Sequence, residues 1–214
     1  MKNIVLIGMP GTGKSVVGRA LAERLGYTFV DVDDLITEAA GKTLPEILRT
    51  EGLEAFLAIE GQVGETLDRE NTVIATGGSM VLCEAAMAHL KENGVAVWLE
   101  TPLSRIHDRM PEDLTDRGIA APQGMTIREI YRQREPLYAK YADLIVASRD
   151  GEDDTAQQVE AVMRTVGMHV LRKQGKTGTA IKAVPVFLGG EGPLTGGAAD
   201  AILRKTEGGD HGTG

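Results

Sequence analysis

The segment Gly8-Met9-Pro10-Gly11-Thr12-Gly13-Lys14-Ser15 constrains this chain more than any other stretch. It matches the pattern Gly-x-x-x-x-Gly-Lys-Ser/Thr. Its setting fits as well: residues 3–7 are a continuous β-branched and aliphatic run, and residues 14–25 carry apolar side chains at helical spacing, with Gly26 as a stop. The glycines let the backbone curl so that successive N–H groups face one anion, and the helix N-terminus adds partial positive charge there. Lys14 is placed to reach the β- and γ-phosphates of a nucleoside triphosphate, and the Ser15 hydroxyl to ligate Mg2+.

The rest of the chain repeats the strand-then-helix alternation. Further strands are predicted at residues 28–30, 72–75, 95–99 and 144–146. Helices are predicted at 35–40 and 44–67, broken near Gly41 and Gly52, and at 84–91, 103–110, 127–141 and 155–166. Such alternation means a parallel sheet covered on both faces. Residues 111–124 are polar with proline and glycine and read as a long loop. After residue 166 the composition turns glycine-rich, so residues 1–166 are expected to form the domain and 167–214 an extension. Within it, 180–188 looks strand-like, 198–203 has the pattern of a helical turn and 207–214 is expected to fray.

Composition narrows the function classes. The chain has 214 residues, 42% hydrophobic and only 4% aromatic, so aliphatic side chains must build the core. A net charge of −8 argues against a general nucleic-acid binder. The lone Cys83 excludes an intrachain disulfide and fits a reducing compartment. The apolar run at the N-terminus is too short for a membrane span, so a cytoplasmic protein is expected, and the oligomeric state is left open. The four histidines are scattered, Met80, Met87, Met110 and Trp98 read as packing, and Arg128 and Arg132 read as a solvated helix face.

The second strand runs into Asp31-Val32-Asp33-Asp34. Ligands in open α/β sheets sit beyond the carboxyl ends of the strands. One of Asp31 and Asp33 is expected to hold Mg2+ through water and the other to accept a proton from a substrate hydroxyl. Asp34 reads as the N-cap of the following helix.

With these residues the chain resembles the shikimate kinases, in the nucleoside-monophosphate-kinase-like group of P-loop proteins. The resemblance covers residues 2–166. It rests on Gly8–Ser15, Asp31-x-Asp33, Gly77-Gly78, Arg117 and Arg134-Glu135-Pro136-Leu137-Tyr138. It implies a three-layer α/β/α P-loop fold with a five-stranded parallel sheet and a mobile lid at about 111–124. It also implies ATP- and Mg2+-dependent phosphorylation of an alcohol on a small carboxylate, shikimate to shikimate 3-phosphate. By the same resemblance Gly11, Thr12, Gly13, Lys14, Ser15, Val16, Arg109 and Arg117 would hold the nucleotide, with Arg109 near the adenine. Ser15 and Asp31 would serve Mg2+, and Lys14, Asp33 and Arg117 would act in catalysis. Asp33, Glu60, Gly77, Gly78 and Arg134 would meet the acceptor.

The acceptor half departs from the family. Position 57 holds Leu57 where the family has an arginine, Ser79 replaces a third glycine, and the lid reads Arg117-Gly118-Ile119-Ala120 with Glu112, Asp113 and Asp116 nearby. Without that arginine, Glu60 lacks its usual neighbour, and a carboxylate near a pocket prefers a cation. Homoserine or a similar hydroxy amino acid is therefore the alternative acceptor. A nucleotide-binding module without acceptor chemistry is the rival from another class.

Overall fold

The computed structural model describes residues 2–111, 113–148, 155–175 and 185–187. Glu112, the 198–203 segment and the 207–214 segment lie outside the described residues. The expected parallel strands are β1 (Asn3–Ile7), β2 (Thr28–Asp31), β3 (Thr72–Ala75), β4 (Gly94–Glu100) and β5 (Leu144–Ala147). A sixth strand, β6 (Pro185–Phe187), pairs parallel with β5 inside the strand-like stretch of the extension and adds an edge to the expected five. The sheet order is β2-β3-β1-β4-β5-β6.

Period-two alternation splits the core into two layers. Val5, Ile7, Ile74, Ala96, Trp98 and Ile145 face one layer, and Ile4, Leu6, Val73, Val95, Val97, Leu99 and Val146 face the other. The second layer is closed by α1 (Lys14–Leu25) through Val17 and Leu21, and by α8 (Thr155–Gly175) through Val159 and Val162. α8 continues past the expected helix end at residue 166. The first layer is closed by α2 (Val32–Ala40), α3 (Leu44–Thr50), α4 (Gly52–Thr66), α5 (Glu84–Glu92), α6 (Leu103–Asp108) and α7 (Ile127–Tyr141). Residues 111–124 are not all loop, because Leu114–Arg117 form a short 3-10 turn. Among the described residues no helix is long and apolar enough to cross a membrane.

α7 is fixed at both ends of its inner face. Its N-terminus has a capping box in which the Thr126 side chain accepts from Glu129 N–H and Glu129 reaches back to Thr126. At its far end Tyr138 is fully buried and stacks on Trp98, with ring centroids 5.9 Å apart. Thr126→Ala removes the cap, and we expect a loss of about 1 kcal/mol, or roughly 2–4 °C in Tm, measured by thermal unfolding.

Candidate active site

The strand order places three loops side by side at the carboxyl edge of the sheet. β1 leads into the phosphate-binding segment, β2 into the acidic turn, and β3 into Thr76-Gly77-Gly78. Thr76 is tied down by its hydroxyl, which donates to the Leu6 carbonyl at 3.0 Å. In the phosphate segment Gly11 and Gly13 have φ of 79° and 88°, a region that a side chain disfavours. These three loops, α4, α7 and residues 117–120 enclose a cavity of about 330 Å3.

Lys14 is buried in this cavity, its Nζ donating to the Gly8 and Met9 carbonyls at 2.9 and 2.8 Å. Burial lowers its pKa to about 8, although Asp33 and Asp31 pull the other way. Asp31 caps α2 by accepting from Asp33 N–H at 3.2 Å. This corrects the expectation for Asp34. The helix starts at Val32, so Asp34 lies inside the first turn and is exposed. Burial, followed by the neighbouring Asp31 charge, raises the Asp33 carboxyl to about 6.

The opposite wall carries two buried charges. Glu60 and Arg134 are each 1% exposed. Glu60 Oε1 has no hydrogen-bond partner, nor have Arg134 Nε and Nη1; the Arg134 Nη2 donates to the Ala120 carbonyl. Burial raises the Glu60 carboxyl to about 7; a Ser79 hydrogen bond and the Arg134 and Lys14 charges oppose the shift, and Asp33 reinforces it. Gly77 lies against both carboxylates: a Cβ there would fall 2.1 Å from Glu60 Oε1 and 3.1 Å from Asp33 Oδ1. Tyr138 donates to the Gly78 carbonyl at 2.6 Å and so fixes this loop to α7.

Of the residues singled out from sequence, Gly11, Gly13, Lys14, Ser15, Val16, Asp33, Glu60, Gly77, Gly78, Ser79, Arg117 and Arg134 line this one cavity. Four do not. Thr12 turns its hydroxyl to the Met9 carbonyl, Asp31 caps α2, and Arg109 donates to the Gly11 carbonyl at 2.8 Å and braces the loop. Leu57 packs against the larger core cluster. Arg117, at the end of the 3-10 turn, donates to the Arg109 carbonyl. Phe56 and Thr76, not assigned to the site from sequence, also line the cavity, as do Gly118, Ile119 and Ala120, which were read only as lid residues. For Phe56 a signal was present: it stands four residues before Glu60 on α4, and that spacing shares a helix face.

A phosphate-binding loop after the first strand, a buried lysine and an acceptor cavity with an acid and an unpaired cation define an ATP-dependent small-molecule kinase. The comparisons narrow the class. The shikimate kinase family model matches residues 10–166. The shikimate kinase of Ruegeria pomeroyi is 40% identical over 164 residues, 76% of this chain and 83% of that protein. That of Persephonella marina is 37% identical over 149 residues, 69% of this chain and 90% of the relative. The solved shikimate kinase of Acinetobacter baumannii in complex with shikimate aligns with a TM-score of 0.69 at 29% identity, covering 82% of this chain and 96% of the other. The chain belongs to the shikimate kinase family.

Glu60 also has a consequence for stability. Its carboxyl titrates near 7 in the folded chain against an ordinary 4.5. Its contribution is therefore whole below about 4.5 and is lost as pH rises through 7, when the native state must bury the charge. Glu60→Gln is neutral throughout. We expect the Tm of Glu60→Gln to gain on that of the native sequence by at least about 3 °C between pH 5 and pH 8. A constant difference across that range would show that Glu60 is not strained by its charge.

Proposed function

We propose that this chain transfers the γ-phosphoryl group of ATP to a hydroxyl of shikimate, giving shikimate 3-phosphate. The observation that carries a carboxylate acceptor is the buried Arg134 guanidinium, with Nε and Nη1 unpartnered, in the same cavity as Asp33 and the phosphate loop. A buried guanidinium with two unsatisfied nitrogens is costly, and a bound carboxylate relieves that cost with charge-assisted hydrogen bonds. Membership of the family supports shikimate as the molecule that brings it.

In this reading the loop N–H groups and Lys14 bind the phosphates, Lys14 exchanging its two carbonyl partners for phosphate oxygens. Asp33 orients the acceptor hydroxyl and takes its proton. The hydroxyl oxygen bonds to the γ-phosphorus, the bond from that phosphorus to the bridging oxygen breaks, and ADP leaves. Asp33 lines the cavity, so a bound hydroxyl can reach its carboxylate. Arg117 stabilises the charge on the transferring group from the cavity's outer side. The Ser15 hydroxyl, which lines the cavity, and the Asp31 carboxylate, whose Oδ2 is not the oxygen that caps α2, are hard oxygen donors of the kind Mg2+ takes, and they are the residues that would hold it. When bound, Mg2+ supplies neutralisation of charge on the β- and γ-oxygens.

The test is shikimate-dependent ADP release by the full chain. We expect Asp33→Asn to lower kcat roughly 100- to 10,000-fold with little change in KM for ATP. If the loss falls on ATP binding instead, the roles of Asp31 and Asp33 are exchanged. ATP binding without transfer to shikimate would overturn the proposal.

A further inference from the structure

Glu60 is the one wall charge that the shikimate reading leaves without a task. It enters the cavity from α4, is almost completely buried, and presents an Oε1 with no hydrogen-bond partner. Among the described residues it forms no ion pair. Position 57, one helical turn before it, holds a leucine packed on the core, so α4 supplies no cation there. Ser79, itself buried, hydrogen-bonds the Glu60 carboxyl and steadies it. Arg134 and Lys14 share the cavity and favour the charged form of Glu60, but neither pairs with it. A buried carboxylate oxygen still lacking a partner on a ligand-sized cavity is most relieved by a cation carrying several N–H donors, which an ammonium provides.

The positions of the other groups say what else such a ligand carries. Arg134, with two unpartnered N–H sites, calls for a carboxylate on the same wall. Gly77 contacts both Glu60 and Asp33, so a hydroxyl at Asp33 and an ammonium at Glu60 are one backbone residue apart. A short hydroxy amino acid has all three groups at that scale. We propose that Glu60 and Ser79 form an ammonium subsite, and that the enzyme also phosphorylates a hydroxy amino acid whose carboxylate meets Arg134. The transfer balances as for shikimate: the acceptor oxygen bonds to the γ-phosphorus, the bridging bond breaks, ADP leaves and Asp33 takes the hydroxyl proton. The proposal rests on this cavity being the acceptor site, and it extends the acceptor range beyond shikimate.

The experiment compares L-homoserine with 4-hydroxybutyrate, which has the same chain and hydroxyl but no ammonium. Shikimate runs in parallel, with ADP release and phosphorylated product both measured. We expect kcat/KM for homoserine to exceed that for 4-hydroxybutyrate roughly 10- to 150-fold, the value of a charge-assisted contact. Glu60→Gln should collapse that ratio toward one. Leu57→Arg, which places a cation one turn from Glu60, should lower it as well and keeps the test open if Glu60→Gln folds poorly. Equal use of the two chains, or a Glu60→Gln loss that falls equally on both, overturns the proposal. Retained transfer to shikimate in that case leaves the shikimate reading standing. No transfer to any of the three, with ATP still bound, removes both.

Discussion

Parallel pairing is the constraint on which the rest of this molecule depends. Strands that run the same way end at the same edge, and β2, β3 and β1 are neighbours in that order. Asp31 is registered against Ala75, and Ala75 against Leu6. The acidic turn, the Thr76–Gly78 turn and the phosphate loop therefore leave the sheet side by side, and contacts such as the Thr76 hydroxyl on the Leu6 carbonyl only fasten what the pairing has placed. Segments separated by dozens of residues become one surface because backbone hydrogen bonds leave no other place for them.

The second half of the cavity is built differently. Glu60 and Arg134 come from helices, and each is buried at a cost that apolar packing around it must offset. Their placement is rigid where it matters. Phe56 lies one turn from Glu60, and Tyr138 lies one turn from Arg134 while its hydroxyl fixes the Gly78 loop. The cavity is therefore a wall of backbone donors facing a wall of fixed side-chain charges. Arg109 and Arg117 extend the first wall outward, each donating to a backbone carbonyl of the next segment inward, Gly11 and Arg109 respectively.

The two walls were not equally legible in the sequence. Gly8–Ser15, Asp33 and Gly77-Gly78 follow strands, and a strand end has a known position once the sheet is parallel. Tyr138 was visible as the end of the Arg134–Tyr138 motif and Phe56 as a residue of a predicted helix, but neither as part of the site, because a motif or a helical period does not say what a side chain meets. Residues 118–120 were read only as part of a lid, since an irregular segment carries no period that would say which of its residues reach the cavity. Local backbone chemistry decided the rest. Asp31 took the capping role because its extended backbone aims a carboxylate at the Asp33 N–H, a competition among three adjacent aspartates that composition does not resolve. The sixth strand lay within a stretch read as strand-like, but its partner, β5, is a matter of topology rather than pattern.

The stacked Trp98–Tyr138 pair gives the molecule an optical property. Trp98 is the only tryptophan in the chain, and Tyr138, against which it lies, holds the Gly78 carbonyl at the cavity wall. One indole in an apolar setting, one ring away from the cavity, means that the tryptophan emission of the protein comes from a single place. The Gly78 turn is joined to that ring by one hydrogen bond and one ring contact, which places the chain's single indole two contacts from the cavity wall.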